Sequence, residues 1–141
     1  NNIYMSMEKI CQKFKIGNGK GNNYYFSKLM KLEYENNEIM ITSTTNPNLL
    51  KYHFQKLYYA IMIKKCNRYS SISNKQRIDV VMTDDNLKIL YIKRNMHENT
   101  FIEEKNATTT ILLPLGTFKN LKIGDYLHLK EIPSESLYEK K

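Results

Sequence analysis

The sequence lacks an apolar run long enough to cross a membrane as a helix. The apolar stretch that begins at Tyr58 stops at Lys64, whereas a spanning helix needs about 20 apolar residues. Cysteine is also scarce, since Cys11 and Cys66 are the two present and have no CxxC spacing. They permit one disulfide or two buried free thiols, and the three histidines add no zinc-ligand spacing. The sequence therefore predicts a soluble chain without a metal site.

Catalytic motifs are absent as well. Residues 17–21, Gly-Asn-Gly-Lys-Gly, are rich in glycine, but they do not match the phosphate-binding pattern GxxxxGK[ST] and no strand precedes them. Cys66 follows an apolar segment, which favours a buried thiol over a nucleophile. Turn chemistry explains the adjacent Asp84 and Asp85 without a calcium ion. We therefore predict a protein that is not an enzyme, with no catalytic residue and no cofactor.

The composition that is present is that of a folded domain with a basic middle. The 141 residues are 41% hydrophobic and 26% charged, which suits one globular domain with its own core. The formal charge of +8 is unevenly spread, because residues 39–78 carry seven basic and no acidic side chains. Residues 1–38 carry a net charge of +2 and residues 79–141 a net charge of −1. Such a concentrated positive field favours encounters with anionic partners.

Two segments carry the periodicity or the end signals of helices. Apolar residues recur on one helical face in residues 3–15, which predicts an N-terminal amphipathic helix. Asn46 and Pro47 supply a capping residue and a proline at the first helical position, and they predict a second helix over residues 47–57. A short helical turn is expected near Phe118.

Alternation of β-branched and aromatic residues predicts the strands. Asparagines between residues 24–34 and 38–44 predict one hairpin, and the Thr83-Asp84-Asp85-Asn86 turn predicts a second, formed by residues 78–82 and 88–92. Further strands are predicted over residues 59–63, 108–115 and 126–132, and an exposed loop over residues 67–76. The predicted architecture is a single α+β domain. It contains a curved, mostly antiparallel β-sheet or partial barrel, an N-terminal helix and one helix near residues 47–57.

The order of apolar runs and turns in the second half also resembles a known family. The relevant segments are residues 61–67, 77–86, 112–117 and 122–127, which include the Gly124-Asp125 step. Over residues 44–130 they resemble the bacterial domain-of-unknown-function 192 family. The resemblance implies a small α+β domain with a curved antiparallel sheet, but no established activity. It also implies that Asn67 and Asp79 belong to a family pocket, whereas Ala60 stands where the family has glycine and residues 70–77 depart from its pattern.

The resemblance divides the chain into three parts. We expect an N-terminal helix and hairpin elaboration over residues 1–43, a core domain over residues 44–132 and a flexible tail over residues 133–141. The polar start at Asn1 predicts cleavage of a longer precursor at a signal or lipoprotein leader. The expected location is therefore outside the cytoplasm, at the cell surface or the periplasmic face, with a lipid anchor in the precursor. A cytoplasmic location is the alternative.

These observations favour a non-catalytic, exported or cell-surface domain that binds a partner through its basic middle segment. The predicted partner-binding residues are Lys51, Lys64, Lys65, Arg68, Lys75 and Arg77. The expected partner is a protein or an anionic polysaccharide. One alternative is a small-molecule or enzymatic pocket that uses Asp79 with Asn67 or Arg77. Another is a nucleic-acid surface, which is less favoured because no recognition helix, zinc finger or RNA-binding strand motif is present.

Overall fold

A computed structural model of the chain describes residues 29–45, 57–71 and 76–132. These residues form nine strands: β1 Met30–Tyr34, β2 Asn37–Thr44, β3 Ala60–Lys64, β4 Arg68–Ser70, β5 Ile78–Thr83, β6 Ile89–Met96, β7 Phe101–Glu103, β8 Thr109–Pro114 and β9 His128–Glu131. No helix occurs in this described part of the chain, and hence none that could span a membrane.

Burial explains which strands are central. All six residues of β5 are buried, as are the first four of β3 and the first five of β8. A strand whose two faces are both covered reads as a continuous apolar run, and these three strands consist largely of isoleucine, leucine, valine, methionine and threonine. The outer strands β6 and β9 keep exposed polar residues instead. The apolar runs of the sequence therefore mark the middle of the sheet.

Seven strands form one sheet in the order β6-β5-β8-β3-β2-β1-β9. Strands β2 and β3 are parallel, with Ile41 beside Ala60, and the other neighbouring pairs of this sheet are antiparallel. Strands β4 and β7 form a separate antiparallel ribbon. The architecture is therefore a mixed sheet with an added two-stranded ribbon.

The large sheet curls because its two ends meet. Lys88, just before β6, makes an isolated antiparallel bridge with Tyr126, just before β9. Backbone hydrogen bonds from Ile89 N to Asp125 O (2.8 Å) and from Leu127 N to Leu87 O (3.0 Å) hold this junction. The sheet is therefore a partial barrel rather than a flat layer.

Two apolar clusters occupy the two faces of the curled sheet. One contains Tyr59, Ile63, Val80 and Met82 together with Tyr69 of β4 and Ile102 of β7, so the ribbon packs on this face. The other lies around Phe118, a fully buried residue of the segment between β8 and β9. The ribbon and the segment around Phe118 thus cover opposite faces of one sheet.

The predicted α+β class is wrong for the described residues, which are all-β. The two predicted helices fall on residues 3–15 and 47–57, of which only Leu57 is described, and Leu57 is not helical. The helical turn expected near Phe118 is also wrong, because residues 115–120 form turns and bends. Phe118 contacts the core from a folded loop. The three-residue spacing of apolar residues that suggested a helical turn is therefore met without a helix.

Both predicted hairpins are present. Strands β1 and β2 join at Glu35 and Asn36, and Glu35 adopts a φ of 56°. Strands β5 and β6 join through a turn in which Asp84 Oδ1 accepts from Asn86 N at 2.9 Å and from Lys88 N at 3.0 Å. The turn role predicted for Asp84 is therefore confirmed. The loop predicted over residues 67–76 contains strand β4, so that part of the prediction is wrong.

Candidate functional site

A buried carboxylate, Asp79, joins three elements at one end of the sheet. Asp79 is 1% exposed and lies in β5, at a point where the pairing with β6 is irregular. Asp79 Oδ2 accepts from Arg94 Nη1 at 3.0 Å and from Gly116 N at 2.9 Å, and Oδ1 accepts from Asn95 N at 2.9 Å. A buried carboxylate is stable when its oxygens are satisfied in this way. We call these four residues the Asp79 network.

Local backbone conformations aim the donors of the Asp79 network. Asn95 has a φ of 52° and Gly116 a φ of +79°, both in the left-handed region. Asparagine and glycine tolerate this region better than other residues. Arg94 also donates from Nη2 to the carbonyl oxygen of Lys119 at 3.0 Å, so both terminal nitrogens of its guanidinium are held. The network connects β5, β6 and the segment after β8, so its role is structural.

Asn67 and Asp79 are not brought together. Asn67 O accepts from Glu104 N, and the neighbouring Cys66 N donates to Thr108 O. Thr108 N in turn donates to Thr83 O at the far end of β5. Asp79 precedes Thr83 by four positions on this strand, which is about 13 Å at 3.3 Å per residue. The carboxylate of Asp79 faces its own network rather than a pocket shared with Asn67.

The basic residues predicted to bind a partner divide into two groups. Lys64 ends β3, Lys65 follows it with a φ of 55°, and Arg68 begins β4. Arg77 directly precedes β5. All four are exposed. Lys51 and Lys75 lie outside the described residues.

Strand register gives the separation of these groups. Lys64 is paired with Thr109 of β8, and Thr109 is paired with Thr83 at the end of β5. Arg77 lies six positions before Thr83. Measured along the strand direction, Arg77 is therefore about 20 Å from the level of Lys64. The cationic side chains therefore lie at opposite ends of the central strands. We call Lys64, Lys65 and Arg68 the Lys64 patch, and the single residue Arg77 at the other end the Arg77 patch.

Ion pairing distinguishes these cations from several others. The salt bridges within residues 29–45, 57–71 and 76–132 join Lys31 to Glu38 (3.2 Å), Arg94 to Asp79 (3.0 Å) and Lys130 to Glu33 (2.8 Å). None of them uses a residue of either patch. Arg68 lies opposite Glu103 in the β4–β7 register, but no salt bridge connects the two side chains. Among the described residues, the cations of the two patches are therefore exposed and lie outside the observed salt bridges.

Two further polar features lie inside the fold. Tyr34 donates from its hydroxyl to Asp125 Oδ2, and this hydrogen bond to a carboxylate is the main reason that the pKa of Tyr34 is raised to about 12. Asp125 therefore anchors the segment before β9 to β1. Cys66 is a free, buried thiol whose Sγ donates to Arg68 O at 2.9 Å. Cys11, with which it could form the one disulfide that the sequence permits, lies outside the described residues.

No cluster of three or more metal-binding side chains occurs among the residues that the structure describes. A half-open, mostly apolar recess with a cavity volume of about 60 Å³ is present, and it is lined by Met30, Ile41, Thr42, Ser43, Met62, Lys64 and Leu129. Sequence reasoning missed this recess because its walls come from β1, β2, β3 and β9. Residue spacing carries no signal for such a meeting of four strands.

Comparison with known proteins identifies the fold but not a family. No protein-family model and no curated protein matches the sequence. A solved structure described as a putative transcription regulator from Sinorhizobium meliloti is 14% identical with a TM-score of 0.56, and the match covers 72% of this chain and 91% of that one. A protein of unknown function from Novosphingobium aromaticivorans is 8% identical with a TM-score of 0.53, covering 72% and 84%. At these identities the likeness shows a shared fold alone, and the resemblance to the domain-of-unknown-function 192 family stays a prediction.

Proposed function

We propose that this chain is a non-catalytic binding domain for an extended anionic polymer, with an anionic polysaccharide as its partner. The observation that supports the proposal is the state of the four described cations: Lys64, Lys65, Arg68 and Arg77 are exposed and form no salt bridge within the described ranges. They come from a segment of the sequence, residues 39–78, that contains no carboxylate side chain.

The separation of the patches favours a polymer over a small anion. About 20 Å between the levels of Lys64 and Arg77 along the strands is too far for one small ligand to contact both. A linear polyanion can contact both, and two linked contacts raise affinity through effective concentration. A cell-surface polysaccharide is accessible to an exported domain, so the exported location predicted from the sequence belongs to the same proposal.

Heparin provides a suitable probe because it is a long sulfated polysaccharide. The test variant is K64Q/K65Q, and the matched control is K31Q/K130Q, which removes the same charge. Lys130 already neutralises Glu33, whose pKa it holds below the usual value through their hydrogen bond. Exposed charge contacts contribute about 0.2–1 kcal/mol each. The K64Q/K65Q change removes two such contacts and should therefore weaken heparin binding about two- to thirtyfold, and the control should weaken it less.

Two further measurements vary the length of the heparin chain and the salt concentration. R77Q should weaken binding of long heparin chains but not of a sulfated disaccharide, which is too short to connect the two patches. Binding of long chains should fall steeply as salt rises from 50 to about 200 mM, because exposed charges are screened. Equal losses in K64Q/K65Q and K31Q/K130Q would contradict the proposal.

A single-stranded DNA oligonucleotide of equal charge tests the alternative partner. One structural neighbour is described as a putative transcription regulator, and exposed aromatic residues such as Tyr58 could stack on bases. Tighter binding of the DNA than of heparin, with losses in Y58A, would exclude a polysaccharide as the partner.

A further inference from the structure

The recess beside Lys64 has features of a small-molecule site that differ from those of a polyanion surface. Ile41 and Met62 form its floor and are 2% and 5% exposed. Half-buried Met30 and Leu129 form its walls, and exposed Lys64 lies at its rim. Its cavity volume of about 60 Å³ is well below that of drug-sized pockets, so the recess can hold only a short chain of a few carbon atoms.

Strand pairing explains why these side chains converge. Met30 is paired with Ile41 across β1 and β2, and Met62 with Ser43 across β2 and β3. Paired residues project from the same face of a sheet, and residues two apart on a strand share that face, so Lys64 follows Met62 onto it. Leu129 reaches the recess from β9, which pairs with β1. The site is therefore built on four regular strands rather than on loops.

The chemistry of the lining specifies one class of ligand. The apolar floor and walls can bury a hydrocarbon chain, and methionine side chains adapt to ligands of variable shape. The rim supplies a single ammonium group, Lys64, which makes no salt bridge among the described residues. We propose that the recess binds an aliphatic monocarboxylate, with its alkyl chain on Ile41 and Met62 and its carboxylate paired with Lys64.

A homologous series of straight-chain carboxylates tests this inference by isothermal titration calorimetry, below the concentrations at which the longer members form micelles. Burial of each methylene should tighten binding about fourfold, which corresponds to about 0.8 kcal/mol per buried CH₂. The gain should stop once the recess is full, so affinity should rise from butanoate and then level off. No saturable binding up to decanoate, or affinities independent of chain length, would overturn the proposal.

Variants separate the apolar and the charged parts of the site. K64Q should lose about two- to fivefold in affinity for a carboxylate and nothing for the primary alcohol of equal length, since an exposed ion pair contributes about 0.2–1 kcal/mol. K65Q is the matched control, because Lys65 is also exposed but does not line the recess. M30F should fill part of the recess and shift the plateau to shorter chains. Equal effects of K64Q and K65Q would contradict the proposal.

This inference can fail separately from the polysaccharide proposal. Lys64 contributes to both, but Arg77 lies at the other end of the central strands and contributes only to the polymer. R77Q should therefore weaken heparin binding and leave carboxylate binding unchanged, whereas M30F should do the opposite. A change of both affinities in R77Q, or in M30F, would overturn the assignment of two ligands to separate parts of the surface.

Discussion

The Asp79→Asn substitution should destabilise the protein strongly without changing its shape. Asp79 is buried and accepts hydrogen bonds from Arg94, Asn95 and Gly116. An asparagine keeps one acceptor oxygen, and its NH₂ group cannot accept from the remaining donors. At least one backbone N–H, that of half-buried Asn95 or that of exposed Gly116, therefore loses its partner on the buried carboxylate.

The expected loss of stability follows from what each hydrogen-bond donor loses. A fully buried donor left without a partner costs about 1–3 kcal/mol, and a partly buried N–H lies in the lower part of that range, at about 1–2 kcal/mol. The Arg94 side chain is 37% exposed, so water can replace part of its interaction with the carboxylate and its loss adds at most about 1 kcal/mol. Together these effects lower the free energy of unfolding by about 1–3 kcal/mol.

Urea unfolding followed by circular dichroism measures this change. With a urea dependence of about 2 kcal/mol per molar, typical of small proteins, the midpoint should fall by about 0.5–1.5 M. Asp85→Asn is the matched control, because Asp85 is exposed and its carboxylate accepts from Thr108 Oγ1 at the surface. That variant should change stability by less than about 0.5 kcal/mol. An Asp79→Asn variant as stable as Asp85→Asn would refute the structural role of the network.

Two further changes test other parts of the fold. Tyr34→Phe should lower the free energy of unfolding by about 1 kcal/mol, because it removes the donor to Asp125 but keeps the ring beside Phe118. Because the pKa of Tyr34 is raised to about 12 from an ordinary value of about 10, its contribution to stability is complete below about pH 10 and is lost as pH rises to about 12. An ultraviolet titration of tyrosinate should lose its step near pH 12 in Tyr34→Phe, and an unchanged titration would contradict the assignment. Gly116→Ala meets no atom within 4 Å but places a side chain at a φ of +79°, so it should destabilise by about 1–2 kcal/mol in thermal unfolding, with exposed Lys119→Ala as a nearly neutral control.

Local patterns in the sequence predicted hairpins better than global architecture. The hairpin of β5 and β6 was predictable because an Asp-rich turn lies between two apolar strands, and both signals are contained in neighbouring residues. Parallel pairing of β2 with β3 was not predictable, because alternation fixes which face a residue occupies but not which strand lies beside it. The β4–β7 ribbon was missed since its strands have three residues each, too few for periodicity to show.

The candidate sites show the same pattern: the sequence predicted local features better than contacts between distant residues. Asp79 was singled out by the family resemblance, and Asn67 or Arg77 was its expected neighbour in a pocket. The actual partner is Arg94, which an irregular β5–β6 pairing brings to the carboxylate. Exposure of Lys64, Lys65, Arg68 and Arg77 follows from their charge, but their division into two patches depends on strand register, which the sequence does not state.

The central proposal, that a linear polyanion contacts both patches, is tested most directly by nuclear magnetic resonance. Backbone amide signals of the ¹⁵N-labelled full chain would be followed during titration with a heparin oligosaccharide long enough to connect the patches. We expect shifts at Lys64, Lys65 and Arg68 and, with the same apparent affinity, at Arg77. Shifts confined to one end of the central strands, or centred on the ion-paired Lys31 and Lys130, would contradict the proposal.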